Sequence, residues 1–499
     1  MLPPLAYSVA RVRAAEEAFP AALADGTLMA RAAWAASQAA IQVLHDEGCL
    51  VTGARVVILV GPGNNGGDAL WAGAHLARRG ASVQAITTTE QVHVAGMHAL
   101  KQGGGGSCSW AKEPERAWQL LAKADLILDG LVGIGGKGPL RAPAADLVHV
   151  AAGLSTRVLA IDLPSGLDAD SGAVLGAVLP ADCTVTFGCA KPGLLLAPGC
   201  AVTGRLQIID IGIGPALTEP ACQWLTDDKV ADLLAQVRAR ADDHKYRRGV
   251  VGIAAGSRRY LGAAMLTVGA ALRSGVGMVR FLDRDDGCAV EVVRRNPEVV
   301  TEVEIPNVNA WVVGPGLSQD AVTTVEAILR TDVPVVLDAT ALAILADEPA
   351  LLDLAATRRA PTVLTPHYGE AKRLAGAYRC ELTGEPLNDA DQLARITGCI
   401  VLLKGPGTVV AGAGVPWVNR TGGAELSCAG SGDVLSGLLG GLLAAQVVRK
   451  STTTFLDRVE TAEVAALAAH LHGLAGKRAA QHAPHGRALI ASDLVNALI

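Results

Sequence analysis

The sequence has 499 residues, of which 50% are apolar and only 3% aromatic, and its formal net charge is -5. So much apolar content in a chain of this length predicts at least two domains with separate cores. The acidic balance argues against a basic nucleic-acid surface, and no apolar run reaches the roughly 20 residues that cross a bilayer. Ten cysteines without a CxxC pair indicate neither a zinc site nor a secreted disulfide framework. We therefore expect a cytoplasmic protein that binds neither nucleic acid nor membrane.

Two segments each alternate apolar strands with Ala-rich helices, which is typical of βα units and parallel sheets. The predicted strands are 55–60, 82–87, 125–129, 158–162, 183–187 and 206–211 in the first segment, and 250–255, 278–282, 310–313, 333–338, 362–365 and 400–404 in the second. Residues 212–220 contain two Gly and two Pro, which favours a domain boundary there. The four-glycine run 103–106 is interpreted as a flexible loop. The predicted fold class is α/β, with two Rossmann-like three-layer domains at 1–215 and 221–499.

A glycine-rich loop follows the first predicted strand. It reads Gly61-Pro62-Gly63-Asn64-Asn65-Gly66-Gly67-Asp68 and precedes a helix predicted over 69–79. Such a loop brings backbone N–H groups at a helix start close to a phosphate. It also matches G-x-G-x-x-G, but threonines stand where a dinucleotide-binding fold needs an acid about 20 residues later. A tight turn with Asn and Asp caps is the structural alternative.

Two further strand ends in the first segment carry polar groups. Asp129 closes one strand, and Asp162 closes the next, shortly before Ser165. The carboxyl ends of parallel strands share one crevice, where ligands bind. Asn65, Asp129 and Ser165 could therefore present oxygens to a cation there, while Asp162 faces the bound molecule. The alternative is that each of these residues caps a helix or braces a loop.

The second segment contains Cys428-Ala429-Gly430-Ser431-Gly432-Asp433 at the start of an apolar helix. Small residues at a helix N-terminus expose amides that can bind a transferring phosphoryl group. Asp433 in the first turn can accept a proton from a hydroxyl that attacks phosphorus, although a helix cap is the simpler role. The loop Lys404-Gly405-Pro406-Gly407-Thr408 offers a cation, amides and a hydroxyl to a nucleotide. His367 follows another predicted strand, and loops at 256–263 and 314–317 complete the rim.

The order of these motifs resembles the NAD(P)H-hydrate repair enzymes, in which an NAD(P)HX epimerase is fused to an ADP- or ATP-dependent NAD(P)HX dehydratase. The resemblance covers nearly the whole chain. Besides the segments above, it rests on Ser8-Val9-Ala10-Arg11-Val12-Arg13, Asp162-Leu163-Pro164-Ser165-Gly166, Lys191-Pro192-Gly193 and His244-Lys245-Tyr246-Arg247-Arg248-Gly249.

The resemblance implies a ribokinase-like C-terminal domain and a set of ligand contacts. It assigns K⁺ to Asn65, Asp129 and Ser165. The hydrated nucleotide would contact Asn64, Asn65, Gly66, Gly67, Asp68, Gly133, Ile134, Gly135, Gly136, Lys137, Gly138, Pro139 and Asp162 in the first domain, and Ala263, Gly316, His367 and Asp433 in the second. ADP or ATP, with Mg²⁺, would contact Lys404, Gly405, Pro406, Gly407, Thr408 and Gly432. A homo-oligomer is expected.

The resemblance also supplies a reaction. The second domain would phosphorylate the hydroxyl on carbon 6 of the hydrated nicotinamide ring, with Asp433 as base, so that the group leaves and the dihydropyridine returns. The first domain would interconvert the carbon-6 epimers, with Asp162 as the candidate acid or base. Two positions depart from the family pattern: Ala69 stands where glycine is usual, and residues 133–136 lack the usual threonine.

Two alternatives remain open from sequence. One is a small-molecule kinase of the ribokinase-like class, which would release a phosphorylated product but leaves the asparagine-rich first domain unexplained. The other is a scaffold whose first domain binds nucleotide without catalysis. The sequence does not choose between ADP and ATP, or between NADHX and NADPHX.

Overall fold

A computed structural model describes residues 2–284, 287–450, 456–483 and 486–498. The chain divides into two compact units, Met1–Ala221 and Cys222–Ile499. The division follows directly after the stretch 212–220, in which the sequence analysis placed the boundary.

The first unit is built on a seven-stranded parallel sheet with the order β4-β3-β2-β5-β6-β7-β8. Its strands are β1 Leu5–Ala6, which lies outside this sheet, β2 Arg55–Val60, β3 Ser82–Thr87, β4 Gly106–Ser109, β5 Leu126–Gly130, β6 Arg157–Ile161, β7 Cys183–Phe187 and β8 Arg205–Ile209. Its helices are α1 Val9–Glu17, α2 Pro20–Ala24, α3 Thr27–Asp46, α4 Asn64–Arg78, α5 Val94–Gln102, α6 Pro114–Leu121, α7 Ala144–Ala152 and α8 Cys200–Thr203.

Both faces of this sheet are buried. Along β2, Val56 and Ile58 belong to one apolar cluster, while Val57 and Leu59 belong to another. Neighbouring side chains on a strand point to opposite faces, so each face has its own core. This is the three-layer arrangement that the sequence predicts, and the α/β fold class is confirmed. All six predicted strands occur: three have the predicted bounds, and the ends of the other three are shifted by one or two residues.

Two predictions for the first unit are wrong in detail. Helix α4 begins at Asn64 rather than at residue 69, so the polar motif lies in the first turns of the helix. Gly66 makes this possible, because a Cβ there would lie 2.4 Å from the carbonyl oxygen of Gly61. The glycine run 103–106 is also not wholly a loop, since Gly106 opens β4 and pairs with Gln84 of β3.

The second unit contains ten hydrogen-bonded strands of a mixed sheet. Their order is β9-β18-β17-β16-β15-β14-β13-β10-β11-β12, and only the pairs β16-β17 and β17-β18 are antiparallel. Its strands are β9 Cys222–Gln223, β10 Val250–Ala254, β11 Met278–Leu282, β12 Val300–Glu302, β13 Ala310–Val313, β14 Val335–Leu337, β15 Thr362–Leu364, β16 Ile400–Leu403, β17 Val409–Ala411 and β18 Trp417–Val418. Its helices are α9 Asp227–Val237, α10 Leu261–Leu272, α11 Cys288–Arg295, α12 Val322–Leu329, α13 Thr340–Asp347, α14 Pro349–Thr357, α15 Tyr368–Ala377, α16 Pro386–Thr397, α17 Ser431–Arg449, α18 Arg458–His482 and α19 Ala491–Ala497.

The six predicted strands of this unit form its parallel centre. The sequence analysis missed β9, β12, β17 and β18, which are only two or three residues long and lie towards the sheet edges. Strands this short present too few alternating positions to give a periodic signal.

Helix α17 is the core helix of the second unit. Its small residues allow close packing, because a Cβ at Gly437 would lie 2.0 Å from the backbone oxygen of Thr267 in α10. In the part of the chain that the structure describes, α17 is the one helix long and apolar enough to span a membrane, yet 83% of its apolar window is buried inside the protein. Burial of that kind is expected of a core helix.

Candidate active sites in the two units

The first site lies where β2, β5 and β6 end. These strands are parallel neighbours, so the segments that follow them meet at one edge of the sheet. Asn65, Asp129, Asp162 and Ser165 all lie there and are all at most 9% exposed. Polar side chains are rarely buried to this extent without a partner or a ligand.

Asp129 and Ser165 are in direct contact. The Ser165 hydroxyl donates to Asp129 Oδ1 at 2.6 Å, and the Ser165 amide donates to Oδ2 at 2.7 Å. Ser165 Oγ also accepts a hydrogen bond from the amide of Val132 at 3.0 Å. Burial raises the pKa of Asp129 to about 6, although the hydrogen bonds from Ser165 oppose that shift. The carboxylate thus joins the loops after β5 and β6.

Asn65 is buried, and neither its side-chain oxygen nor its nitrogen has a hydrogen-bond partner among the described residues. Its amide lies beside Asp162 across Gly133, because a Cβ at Gly133 would be 3.1 Å from both Asn65 Oδ1 and Asp162 Oδ2. A larger residue would close this gap. An unpartnered buried amide costs free energy, so its oxygen is available to a ligand or cation.

Asp162 is held by a buried lysine. Lys191, 1% exposed, places its ammonium 2.7 Å from Asp162 Oδ1 and also donates to Thr186 Oγ1 at 2.8 Å. The amide of Ile134 donates to Asp162 Oδ2 at 3.2 Å, and Asp162 itself adopts a φ of 68°. A left-handed conformation at a non-glycine residue is strained, and such strain is common at functional sites.

Two more acidic groups face this centre. The pKa of Asp68 is raised well above its ordinary value, first by burial and then by the charges of Asp162 and Glu16. Burial also raises the pKa of Glu16, although the charge of Lys191 opposes this shift. Asp68 Oδ1 has no hydrogen-bond partner in the part of the chain that the structure describes. The site therefore combines a carboxylate paired with lysine and a carboxyl group that favours its protonated form.

The two departures from the family pattern, Ala69 and the segment 133–136, lie in different environments. Ala69 is fully buried, and its methyl group lies against β5, where a Cβ at Gly130 would be only 2.4 Å away. The methyl group therefore occupies space that Gly130 leaves free, rather than the crevice. In the other segment, Gly133 and Ile134 lie against Asp162, whereas Gly135, Gly136, Lys137, Gly138 and Pro139 are exposed.

The second site is organised around Asp338, which directly follows β14. Lys404, after β16, donates to Asp338 Oδ1 at 2.7 Å, and Ser436 of α17 donates to Oδ2 at 2.6 Å. Burial alone would lower the pKa of Lys404, but the charges of Asp338 and Glu370 raise it above its ordinary value. Lys404 therefore remains a cation at the edge of the sheet.

Asp433 lies in the first turn of α17 and makes no hydrogen bond to any described residue. The helix cap role is therefore absent, since the N-cap residue is Gly430 and no side chain caps the helix. Burial, and then the charge of Asp338, raise the pKa of Asp433 to about 6, although Lys404 opposes the shift. A carboxylate with this pKa and a free face is suited to general-base catalysis near neutral pH.

The other residues predicted for this site lie on the loops and helices of the second unit. Gly432 lies beside Lys404, because its Cβ would be 3.2 Å from Nζ. Ala263 and Gly316 are in contact, since a Cβ at Gly316 would be 2.6 Å from that of Ala263. Gly405 and Pro406 are exposed, whereas Gly407 and Thr408 are buried, and the Thr408 hydroxyl donates to the Gly405 oxygen at 3.1 Å.

His367 has a structural role in addition to any ligand contact. Its Nδ1 accepts the amides of Gly369 and Glu370, and Glu370 caps the His367 amide in return. The ring is otherwise 61% exposed, so Nε2 can still reach a ligand. The backbone of His367 pairs with Lys404, which brings the two loops together.

Sequence reasoning missed several polar residues of these sites. Asp338 and Lys191 were quoted only as a strand end and as part of a motif, and Glu370 was given no role. The rule that polar residues at parallel strand ends share a crevice, applied to Asp338, would have found it. His472 gave no signal, because it lies inside α18; burial lowers its pKa to about 4, and its Nε2 lies 3.2 Å from Ser431 Oγ.

The fold and the two sites define an α/β enzyme with two separate polar centres, each at the carboxyl ends of parallel strands. Two family models match the chain: "YjeF-related protein N-terminus" over 25–193 and "NAD(P)H-hydrate dehydratase" over 251–499. The bifunctional NAD(P)H-hydrate repair enzyme of Mycobacterium tuberculosis is 42% identical over 448 residues, which cover 88% of this chain and 89% of that protein.

A second repair enzyme, from Moorella thermoacetica, is 33% identical over 488 residues, which cover 91% of this chain and 88% of that protein. An ADP/ATP-dependent NAD(P)H-hydrate dehydratase structure from Bacillus subtilis covers 56% of this chain and 96% of its own, with 26% identity and a TM-score of 0.44. The chain belongs to the family of bifunctional NAD(P)H-hydrate repair enzymes, and the predicted family and enzyme class are confirmed.

Proposed function

We propose that the two activities of the family divide between the two units. Residues 221–499 form the nucleotide-dependent dehydratase domain, and residues 1–215 form the NAD(P)HX epimerase domain. The observation that carries the proposal is the free, half-buried carboxylate of Asp433 beside the cation of Lys404. A base and a cation next to a helix N-terminus are what phosphoryl transfer to a hydroxyl requires.

In the dehydratase site, Asp433 takes the proton from the carbon-6 hydroxyl as that oxygen attacks the terminal phosphorus of the nucleotide. The bond from phosphorus to the leaving nucleotide breaks, and its charge develops beside Lys404 and the amides around Gly432. The carbon-6 phosphate ester then leaves as phosphate, carbon 5 loses a proton, and the dihydropyridine double bond forms. Asp338 and Ser436 fix the position of Lys404 and α17 during this step.

The nucleotide would lie against the loop of Lys404 to Thr408, and Mg²⁺ would arrive with its phosphates. Among the described residues there is no group of three or more His, Cys, Asp or Glu side chains that could hold a metal ion. Mg²⁺ commonly binds through substrate phosphates and water with only one or two carboxylates, so this donor set is compatible with it. It would neutralise phosphate charge when bound.

In the epimerase site, we propose that inversion at carbon 6 proceeds by breaking the carbon–oxygen bond and forming it again on the other face. Asp68, protonated because its pKa is raised, donates the proton with which the hydroxyl leaves as water. The ring nitrogen stabilises the carbon-6 cation. Asp162, oriented by Lys191, accepts the proton when water returns to the opposite face.

A monovalent cation fits the residues present. Asn65 supplies a buried amide oxygen without a partner, Asp129 a carboxylate and Ser165 a hydroxyl. This set has a low total charge, which suits K⁺ better than Mg²⁺ with its strict octahedral shell. When bound, K⁺ would supply positive charge that offsets the free-energy cost of burying the ionised Asp129 carboxylate.

The test is to incubate the protein with chemically hydrated NADH, as mixed epimers, and with ADP or ATP in turn. We expect the dihydropyridine absorbance to return completely and only with nucleotide. A stable phosphorylated product without recovered NADH would favour the small-molecule kinase instead. Rapid dehydration of one epimer, with the other converted only at the rate of spontaneous epimerisation, would favour a non-catalytic first domain. The cytoplasmic location and the homo-oligomer stay predictions.

A further inference from the structure

A second cleft of the dehydratase unit, outside the residues assigned so far, has a volume of about 620 Å³. It runs along one side of α10, and we call it the α10 cleft. Its wall includes Gly262 at the start of α10 and Arg273 just after its end, together with Arg295 and Asn296. At 1.5 Å per residue, the cleft extends for about 16 Å along the helix.

The α10 cleft begins beside the catalytic carboxylate. Gly430 separates the two, because a Cβ there would lie 2.5 Å from Leu266 Cδ1 and 3.1 Å from Ala491 Cβ, both in the cleft wall, and 3.8 Å from Asp433 Oδ2. Gly430 has a φ of 87°, so only glycine adopts this conformation without strain. Gly430 thus lets the cleft wall pack close to Asp433.

The charge of the cleft is one-sided. Arg273 and Arg295 line it, and none of the described residues in its wall is acidic. Arg295 makes no ion pair or hydrogen bond with a described residue, and the side-chain nitrogen of Asn296 is buried without an acceptor. Arg273 is held in place by the Gly269 oxygen at 3.2 Å and by Asn496 Oδ1 at 3.4 Å. These donors match phosphate oxygens.

The apolar part of the wall lies between Asp433 and the arginines and is suited to the nucleoside part of a ligand. Met265, Leu266 and Val495 lie between the two ends of the cleft. By contrast, the other large cleft of this unit contains both Asp332 and Lys450, so its charge is balanced and gives no preference for an anion. A ligand with both an aromatic base and phosphates fits the α10 cleft best.

We propose that the α10 cleft binds the adenosine diphosphate end of the hydrated dinucleotide, while its nicotinamide ring lies at Asp433. The inference rests on the proposed dehydratase function. Leu266, which lies near Asp433, and Arg273 are about 10 Å apart along α10. This is comparable with the separation of the reactive ring from the diphosphate in an extended dinucleotide. Binding energy from this remote half would help to hold the hydroxyl against its base.

The test compares two substrates in the full-length protein: hydrated NADH, and hydrated reduced nicotinamide riboside, which lacks the adenosine diphosphate end. Arg295→Ala and Arg273→Ala should each raise KM for hydrated NADH about 10-fold, since each removes a charge-assisted hydrogen bond. KM for the shorter substrate and KM for ATP should not change. Arg294→Ala is the matched control, because Arg294 is the neighbour of Arg295 on α11, does not line the cleft, and pairs with Glu291 at 2.6 Å.

Three results would overturn the assignment. Unchanged KM for hydrated NADH in both variants would leave the cleft without a role in substrate binding. An equal increase for both hydrates, or an increase for ATP, would mean that the arginines act on the nicotinamide half or on the nucleotide. A change in molecular mass in solution with unaltered kinetics would make the cleft an interface between copies. If the parent protein dehydrates neither substrate, the proposed function itself fails.

Discussion

Replacing Asp433 by Asn separates a catalytic base from a structural carboxylate, because the two roles predict opposite effects on stability. Burial and Asp338 raise the pKa of Asp433 to about 6, against 3.8 for an unperturbed carboxyl. The unfolded chain therefore loses this proton at a lower pH than the folded protein. Stability falls as the pH rises from about 4 to about 6, and the loss persists at higher pH.

The size of that loss follows from the pKa difference. A difference of about two pKa values corresponds to at most about 3 kcal/mol, and partial solvent exposure reduces this to about 1–2 kcal/mol. Asp433→Asn removes the charge, so the variant should unfold at a higher temperature than the parent at pH 8 and at a similar temperature at pH 4. A lost helix cap would instead cost about 1 kcal/mol.

Activity should change in the other direction. Dehydration by the parent should rise with pH to a plateau, with a midpoint near pH 6, and Asp433→Asn should lower turnover by about 10²–10⁴-fold at pH 8. Nucleotide binding, measured by calorimetry, should be retained. Asp228→Asn, in the exposed first turn of α9, is the control and should alter neither turnover nor stability by more than about 0.5 kcal/mol. Near-parental turnover, or a clearly destabilised variant, would refute the base assignment.

Three further predictions concern the cation, the buried lysine and the independence of the units. Potassium chloride, compared with tetramethylammonium chloride, should raise the unfolding temperature of the parent but not of Asp129→Ala. The increase should be larger at pH 8 than at pH 5. Burial raises the pKa of Asp129 to about 6, and the protonated form binds cations poorly. Equal unfolding temperatures and equal epimerisation rates in all four combinations would make Asp129 purely structural. Lys191→Met should destabilise the protein by about 3–5 kcal/mol in urea unfolding and abolish epimerisation, because it leaves Asp162 buried without its cation. Lys112→Met, which breaks an exposed pair with Glu90, is the control and should leave stability and epimerisation unchanged. A stable, active Lys191→Met variant would remove the lysine from the site. A fragment that begins at Cys222 should fold and dehydrate only one epimer, and complete conversion of a mixed sample faster than spontaneous epimerisation would contradict the division of labour.

The sequence alone determined the parts of this protein that depend on local pattern. Long apolar strands such as β2 and β5 alternate with helices, and both faces of such strands must be covered, so two parallel-sheet units could be predicted. Because parallel strand ends share a crevice, the sequence also predicts that Asp129 and Ser165 lie close together. The ordered motifs likewise led to the family, because they combine loops whose residue types are seldom found together.

Only the tertiary structure decided how those groups are partnered. The pairing of Asp162 with Lys191, and of Lys404 with Asp338, joins residues on different strands whose distance depends on sheet order. Whether Asp433 caps its helix or stays free depends on the desolvation and charge around it, and these arise from neighbours far away in the chain. Burial and electrostatic coupling are properties of the packed whole, so no local pattern carries them.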